Sequence, residues 1–214
     1  CEAVGISCLD SAAVVDDKAA MFLADLRAAH GEAAKAAVEA AKANGWDEIK
    51  CIEIAGVQGD STNTARMDGY REGITEAGGE FLDNETQYAN ATADLAVTAM
   101  EGIMSKYPDG VAIICSNNDD MALAAARTAK ENPNYAKTIF LGFDGQKSAC
   151  EAVAAGELTM TAAQNNFDIG YKAVETMVKI LKGEQYDKVV DTGTEIITKD
   201  NAEERLTKFN EWMK

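Results

Sequence analysis

Apolar and polar positions alternate along this chain in blocks with two different periods. Short apolar runs at 3–7, 49–55, 80–82, 111–115, 138–141, 158–162 and 189–198 predict strands. The run Val111-Ala112-Ile113-Ile114-Cys115 has the composition of a strand buried on both faces of a parallel sheet. Between these runs the period changes to that of a helix. Residues 29–44 are nearly all Ala, Glu and Lys, strong helix formers, and Asn44-Gly45 ends the run. Over 63–77, Met67, Tyr70 and Ile74 form one stripe, and over 91–106 the stripe is Leu95, Ala99, Met100, Ile103 and Met104. Tyr171, Val174, Val178 and Leu181 form another over 168–182, before Gly183 stops the helix. Strands alternating with helices predict βαβ crossovers, hence an α/β fold with a doubly wound parallel sheet.

The polar residues that follow the strands carry the chemical information. Asn117-Asn118-Asp119-Asp120 follows 111–115, Gly142-Phe143-Asp144 follows 138–141, and Gln164-Asn165-Asn166 follows 158–162. Open α/β sheets hold ligands beyond the carboxyl ends of their strands. Three such sets in succession point to a polar ligand gripped by strand-end loops.

Composition limits the alternatives. With 214 residues and 47% apolar content, the chain can bury a full core as one domain or two small lobes. No apolar run approaches the ~20 residues needed to span a bilayer, so no direct membrane insertion is expected. A net charge of -16 argues against nucleic acid, since phosphates would not be neutralised. Five cysteines at 1, 8, 51, 115 and 150 show no CxxC, no metal-ligand spacing and no disulfide framework. Cys51 and Cys115 lie in apolar strand runs and read as small buried hydrophobes. The two prolines, Pro108 and Pro133, each fall near a helix-to-strand turn. The amino terminus has neither the basic region nor the long apolar core of a signal peptide.

No catalytic set can be assembled. The only histidine, His30, falls in the alanine-rich helix and reads as a surface or capping residue rather than a general base. No nucleophile elbow, Walker loop, dinucleotide turn or zincin helix is present. The turn Gly56-Val57-Gln58-Gly59-Asp60-Ser61 lacks the lysine of a phosphate loop and reads as a strand-to-helix turn capped by Asp60, Ser61 or Thr62. Asp119 and Asp120, at a predicted helix start, suit capping and the helix dipole. Asp144 sits in a tight turn between Gly142 and Gly145. Arg66 is either a surface ion pair or, at a sheet switch point, a planar fork for ligand oxygens. No metal, cofactor or enzymatic activity is expected.

Several ordered segments together resemble the sugar-binding proteins of bacterial ABC importers, of the ribose/galactose-type periplasmic binding family. They are Ser116-Asn117-Asn118-Asp119-Asp120-Met121-Ala122-Leu123, Leu141-Gly142-Phe143-Asp144-Gly145 and Ala154-Ala155-Gly156-Glu157-Leu158. The Gln164 segment ending at Ile169-Gly170 and the closing Thr198-Lys199-Asp200-Asn201-Ala202 continue the match. The resemblance implies a type I fold of two α/β lobes with a monosaccharide or similar polyol in the cleft between them. It also implies delivery to a membrane permease and export to the periplasm or cell surface. By motif it points to Asp10, Arg66, Asn118, Asp144 and Gln164 as sugar ligands, with Tyr88 as the local aromatic in place of a stacking residue nearer 91. Ser11 stands where many relatives carry arginine. Relatives also have several βα units before the segment matching residues 4–10, so one complete lobe plus parts of a second is expected. The implied division is 1–24 as remnant of the amino lobe and crossover, 25–163 as the carboxyl lobe, 164–188 as the return segment, and 189–214 as closing strand and terminal helix. The stripe of 168–182 would then pack on the amino lobe, or be bare without it. An alternative of the same fold is the effector-binding domain of a lactose-repressor-like regulator, which would need a basic helix-turn-helix ahead of residue 1.

Overall fold

The computed structural model describes residues 17–187, 190 and 192–212, with side chains from residue 25 onward. The expected strand at 3–7, Asp10 and Ser11 lie outside the described residues. The chain order is α1 (Asp17–Ala43), β1 (Lys50–Ala55), α2 (Ser61–Glu76), β2 (Glu80–Phe81), β3 (Gln87–Tyr88), α3 (Ala93–Lys106), β4 (Ile113–Ser116) and α4 (Asp119–Ala129). There follow β5 (Ile139–Asp144), α5 (Lys147–Ala155), β6 (Met160–Gln164), α6 (Asn166–Lys182), β7 (Thr194–Ile197) and α7 (Ala202–Trp212). One sheet runs β2-β1-β4-β5-β6-β7, with β3 also pairing β1. Every pairing is parallel except β6 with β7, which is antiparallel.

Strand alternation distributes side chains between two cores. Cys51, Ile113, Cys115, Ile139, Leu141 and Phe143 face α1 and α2. Ile52, Ile54, Ile114 and Phe140 face α3, α4 and α5. The helices after β1 and β4 therefore leave on opposite faces, which makes the carboxyl ends of these neighbouring strands a topological switch point. On one face α1 and α2 pack almost backbone to backbone. A Cβ on Gly69 would stand 2.2 Å from the Arg27 carbonyl oxygen, and one on Gly73 would stand 2.1 Å from that of Gly31.

Several expectations are refined by this packing. Asp60 is the N-cap of α2, its side chain accepting from the Asn63 backbone N–H at 2.8 Å. In α3 the expected stripe holds at Met100 and Ile103, which are buried, and at Ala99 and Met104, which pack against the same core; Leu95 is exposed, and Ala96 takes its place in the core. Strands β5 and β6 run on to Asp144 and Gln164, because the ladder continues through the pair Asp144–Ala163. Among the described residues of 189–198 the strand is β7, preceded by Gly193 at φ 69.

His30 is the main correction. It is buried rather than a surface or capping residue, stacked on Phe143 with ring centroids 3.7 Å apart and edge-on to Tyr70 at 4.7 Å. Its Nδ1 bonds the Leu26 carbonyl oxygen at 2.7 Å. Burial, and then the nearby Arg66, hold its pKa well below the usual value, so it is a neutral core aromatic.

The stripe of α6 is exposed. Tyr171, Val174, Val178 and Leu181 are 57%, 62%, 42% and 76% accessible, so among the described residues nothing covers this face.

Candidate functional site

The carboxyl ends of β4, β5 and β6 bring three of the expected ligand residues together. Gln164, the last residue of β6, donates from Nε2 to Asp144 Oδ1 at 2.8 Å. Arg66, in the second turn of α2, brings Nη2 to 3.9 Å from the same carboxylate oxygen, an ion pair without a direct hydrogen bond. Its Nη1 donates to the Asn117 carbonyl oxygen, and its guanidinium lies over the Phe143 ring, 5.2 Å from the centroid. Phe143 is thus held between Arg66 and His30.

Asp144 is the centre of this group. Its φ of 111° lies in a region that non-glycine residues rarely adopt, the kind of strain that persists where the surroundings fix it. Burial pushes its carboxyl pKa up, Asp120 adds to this, and Arg66 and the Gln164 hydrogen bond oppose it.

Asn118 stands one residue beyond the carbonyl that Arg66 binds. It is the N-cap of α4, accepting from the Met121 N–H at 2.9 Å and donating from Nδ2 to the Ala91 carbonyl oxygen at 3.2 Å. The expectation that Asp119 or Asp120 caps this helix is therefore corrected. Asn118 has the extended φ and ψ a cap needs, whereas Asp119 is the first helical residue and is buried. Tyr88 ends the two-residue β3 and is exposed, and the loop after it turns through Asn90 and Ala91 at φ 48° and 60° to meet Asn118. Asp10 lies outside the described residues.

A polar layer beneath the site was not foreseen. Asn117 Nδ2 donates to the fully buried Glu53 of β1, and Asn117 Oδ1 accepts from the Gly56 N–H at 3.1 Å. Asn63 Oδ1 also accepts from Gly56, at 2.7 Å. Glu53 Oε2 has no partner among the described residues, and burial raises its pKa to about 8. A carboxylate between Ile52 and Ile54 was the available signal, since a charge in a buried strand must be paired or neutral. On the other face, burial lifts the Asp119 carboxyl to about 7 despite hydrogen bonds from Thr161 and Gln146.

A carboxylate acceptor, an amide and a planar guanidinium thus meet at a strand-end switch point. Such groups suit hydroxyls, which both donate and accept. Among the described residues no group of three or more His, Cys, Asp or Glu could hold a metal ion. Cys51, Cys115 and Cys150 are free and buried, with the Sγ atoms of Cys51 and Cys115 3.5 Å apart. No described helix is long and apolar enough to cross a membrane.

A protein family described as "Periplasmic binding protein domain" matches residues 2–185. The chain belongs to that family. It is 31% identical to the ribose import binding protein of Escherichia coli (strain K12) over 150 residues, covering 70% of this chain and 49% of that protein. It is 32% identical to the ribose import binding protein of Haemophilus influenzae over 152 residues, covering 71% of this chain and 50% of that protein. The chain spans about half the length of the curated relatives it matches. Among solved structures, an ABC transporter solute binding protein from Agrobacterium vitis with bound D-fucose superposes with a TM-score of 0.74 at 25% identity. That match covers 91% of this chain and 67% of the other. The Caulobacter myo-inositol binding protein, bound to myo-inositol, gives a TM-score of 0.73 at 26% identity, covering 86% and 62%. These matches agree with the mixed α/β, mostly parallel sheet, and the named relatives are binding proteins rather than enzymes.

Proposed function

We propose that this chain is the ligand-gripping part of an exported solute-binding protein. In this reading it captures a monosaccharide or related polyol and delivers it to the membrane permease of an ABC importer. The observation that carries the reading is the Arg66–Asp144–Gln164 cluster at the carboxyl ends of β5 and β6. Asp144 accepts from sugar hydroxyls, Gln164 and Asn118 exchange hydrogen bonds with them, and Arg66 supplies a fork of donors in one plane. Asp10 and Tyr88 complete the set from the amino-terminal side and the 88–91 loop. The relatives bind ribose, D-fucose and myo-inositol by name, which supports a polyhydroxylated ligand of this size.

Titration calorimetry with D-ribose, D-allose, D-fucose and myo-inositol tests the reading. At least one should bind with saturable 1:1 heat. Asp144→Ala should weaken that binding by roughly 1–3 kcal/mol, about 5- to 150-fold, because the hydroxyl it served is left unpaired. Unchanged binding by Asp144→Ala, or no heat with any of the four, would overturn it.

A further inference from the structure

Asp119 contributes nothing to the ligand set above, yet it is 1% exposed and makes an unusual set of contacts for a buried carboxylate. Oδ1 accepts from the Thr161 hydroxyl of β6 at 2.6 Å, and Oδ2 accepts from the Gln146 backbone N–H at 2.7 Å. Its own backbone begins α4. One side chain therefore joins the start of a helix, the last strand of the parallel ladder and the turn that follows Asp144.

The surrounding glycines are cut to fit this clasp. A Cβ on Gly142 would stand 2.3 Å from Asp119 Oδ1, so only glycine leaves the carboxylate room against β5. Gly145 has φ 66°, and a Cβ there would stand 2.1 Å from Ala163 Cβ. Asp144 lies between these two positions at φ 111°. An unfavourable backbone angle persists only where the surroundings over-determine it. Here the turn is gripped on one side by β6 and on the other by Asp119.

We propose that Asp119 is the positioning residue for Asp144, clasping the 144–146 turn so that the Asp144 carboxylate stays in register with Gln164 and Arg66. The proposal rests on the reading of Asp144 as a ligand residue only for its consequence in binding; the clasp itself is a property of the folded chain. Its chemistry also separates two substitutions. Asn can keep both contacts, its Oδ1 accepting from the Gln146 N–H while its Nδ2 donates to Thr161, whose hydroxyl can donate or accept. Leu has similar bulk and no acceptor.

The test compares Asp119→Asn, Asp119→Leu and Thr161→Val with the parent chain by NMR and calorimetry. In Asp119→Leu the Gln146 amide should exchange with solvent at least tenfold faster. The Gln164 side-chain amide, which reports its bond to Asp144, should also change its chemical shift. Asp119→Asn should keep both signatures near those of the parent, and Thr161→Val combined with Asp119→Asn should lose them again. Protection that falls uniformly along β5, or a Gln164 signal untouched by Asp119→Leu, would overturn the proposal, because a merely structural role predicts those results. If Asp119→Leu does not fold, the Asn variant with and without Thr161 still decides it. Affinity for whichever of D-ribose, D-allose, D-fucose and myo-inositol the parent binds should fall at least tenfold in Asp119→Leu and stay within about threefold in Asp119→Asn. No binding of any of the four by any form would count against the proposed function while the NMR comparison still judges the clasp.

Discussion

Replacing Glu53 by Gln should change how the stability of this protein depends on pH. Glu53 is fully buried on β1, its one hydrogen bond comes from Asn117, and its second oxygen is unpartnered among the described residues. Burial raises its pKa from 4.5 to about 8, against the opposing pull of Arg71 and the Asn117 hydrogen bond. A carboxyl with a raised pKa binds a proton in the folded state that the unfolded chain has already lost. Its stability contribution is therefore whole below pH 4.5 and declines as pH rises toward 8. At about 1.36 kcal/mol per pKa unit, the shift amounts to roughly 4–5 kcal/mol across that window, an upper figure for a buried group. Gln keeps an acceptor for Asn117 but cannot ionise. Its extra N–H groups, if unpaired, cost about 1–3 kcal/mol, a penalty independent of pH. The variant should be no more stable than the parent near pH 4.5, then gain on it by up to about 1.4 kcal/mol per pH unit, and exceed it by pH 8. Urea unfolding of both proteins, followed by circular dichroism at each half unit from pH 4.5 to 9, measures the difference. Asp119 and Asp144, also raised by burial, titrate in both proteins and cancel in that difference. A stability difference that stays constant across the range would show that Glu53 is ionised in the folded state, and the reasoning would fail.

Asp60→Ala should cost about 0.5–2 kcal/mol in urea unfolding, since it removes the acceptor for the Asn63 N–H at the start of α2; no change would show that the cap contributes nothing. Gly73→Ala should cost about 1–3 kcal/mol, because the added methyl meets the Gly31 carbonyl oxygen and the two helices must separate; a thermal melt equal to the parent's would refute that close approach. On α6, Val174, Val178 and Leu181 form an exposed apolar row that invites association. The 214-residue chain should sediment above its monomer mass at high concentration, and Val178→Glu with Leu181→Glu should restore the monomer. A parent that stays monomeric would show that the row has cover.

Much of the fold was legible because hydrophobic periodicity is a local property. The α/β alternation, a capped turn at 60–62 opening α2 and the stop at Gly183 follow from residues within one turn of each other, while the choice of Asp60 as the cap came from the structure. The strand-end grouping of Asp144 with Gln164 was also visible, since each follows an apolar run and doubly wound sheets place such residues side by side. What the sequence could not state is which polar residue meets which. Asn118 and Asp119 are neighbours with similar chemistry, but the extended backbone of the first makes it the cap, and helix geometry sends the second inward to Thr161 and Gln146. His30 looks like a surface residue in an alanine-rich helix, and only the crossing of α1 over β5 puts its ring on Phe143. Glu53 was a visible anomaly whose partner, Asn117, lies 64 residues away. Period and turn chemistry are set by near neighbours and so are written in the sequence. Burial, protonation and the pairing of polar groups depend on strand order, which brings distant residues together only once the sheet has closed.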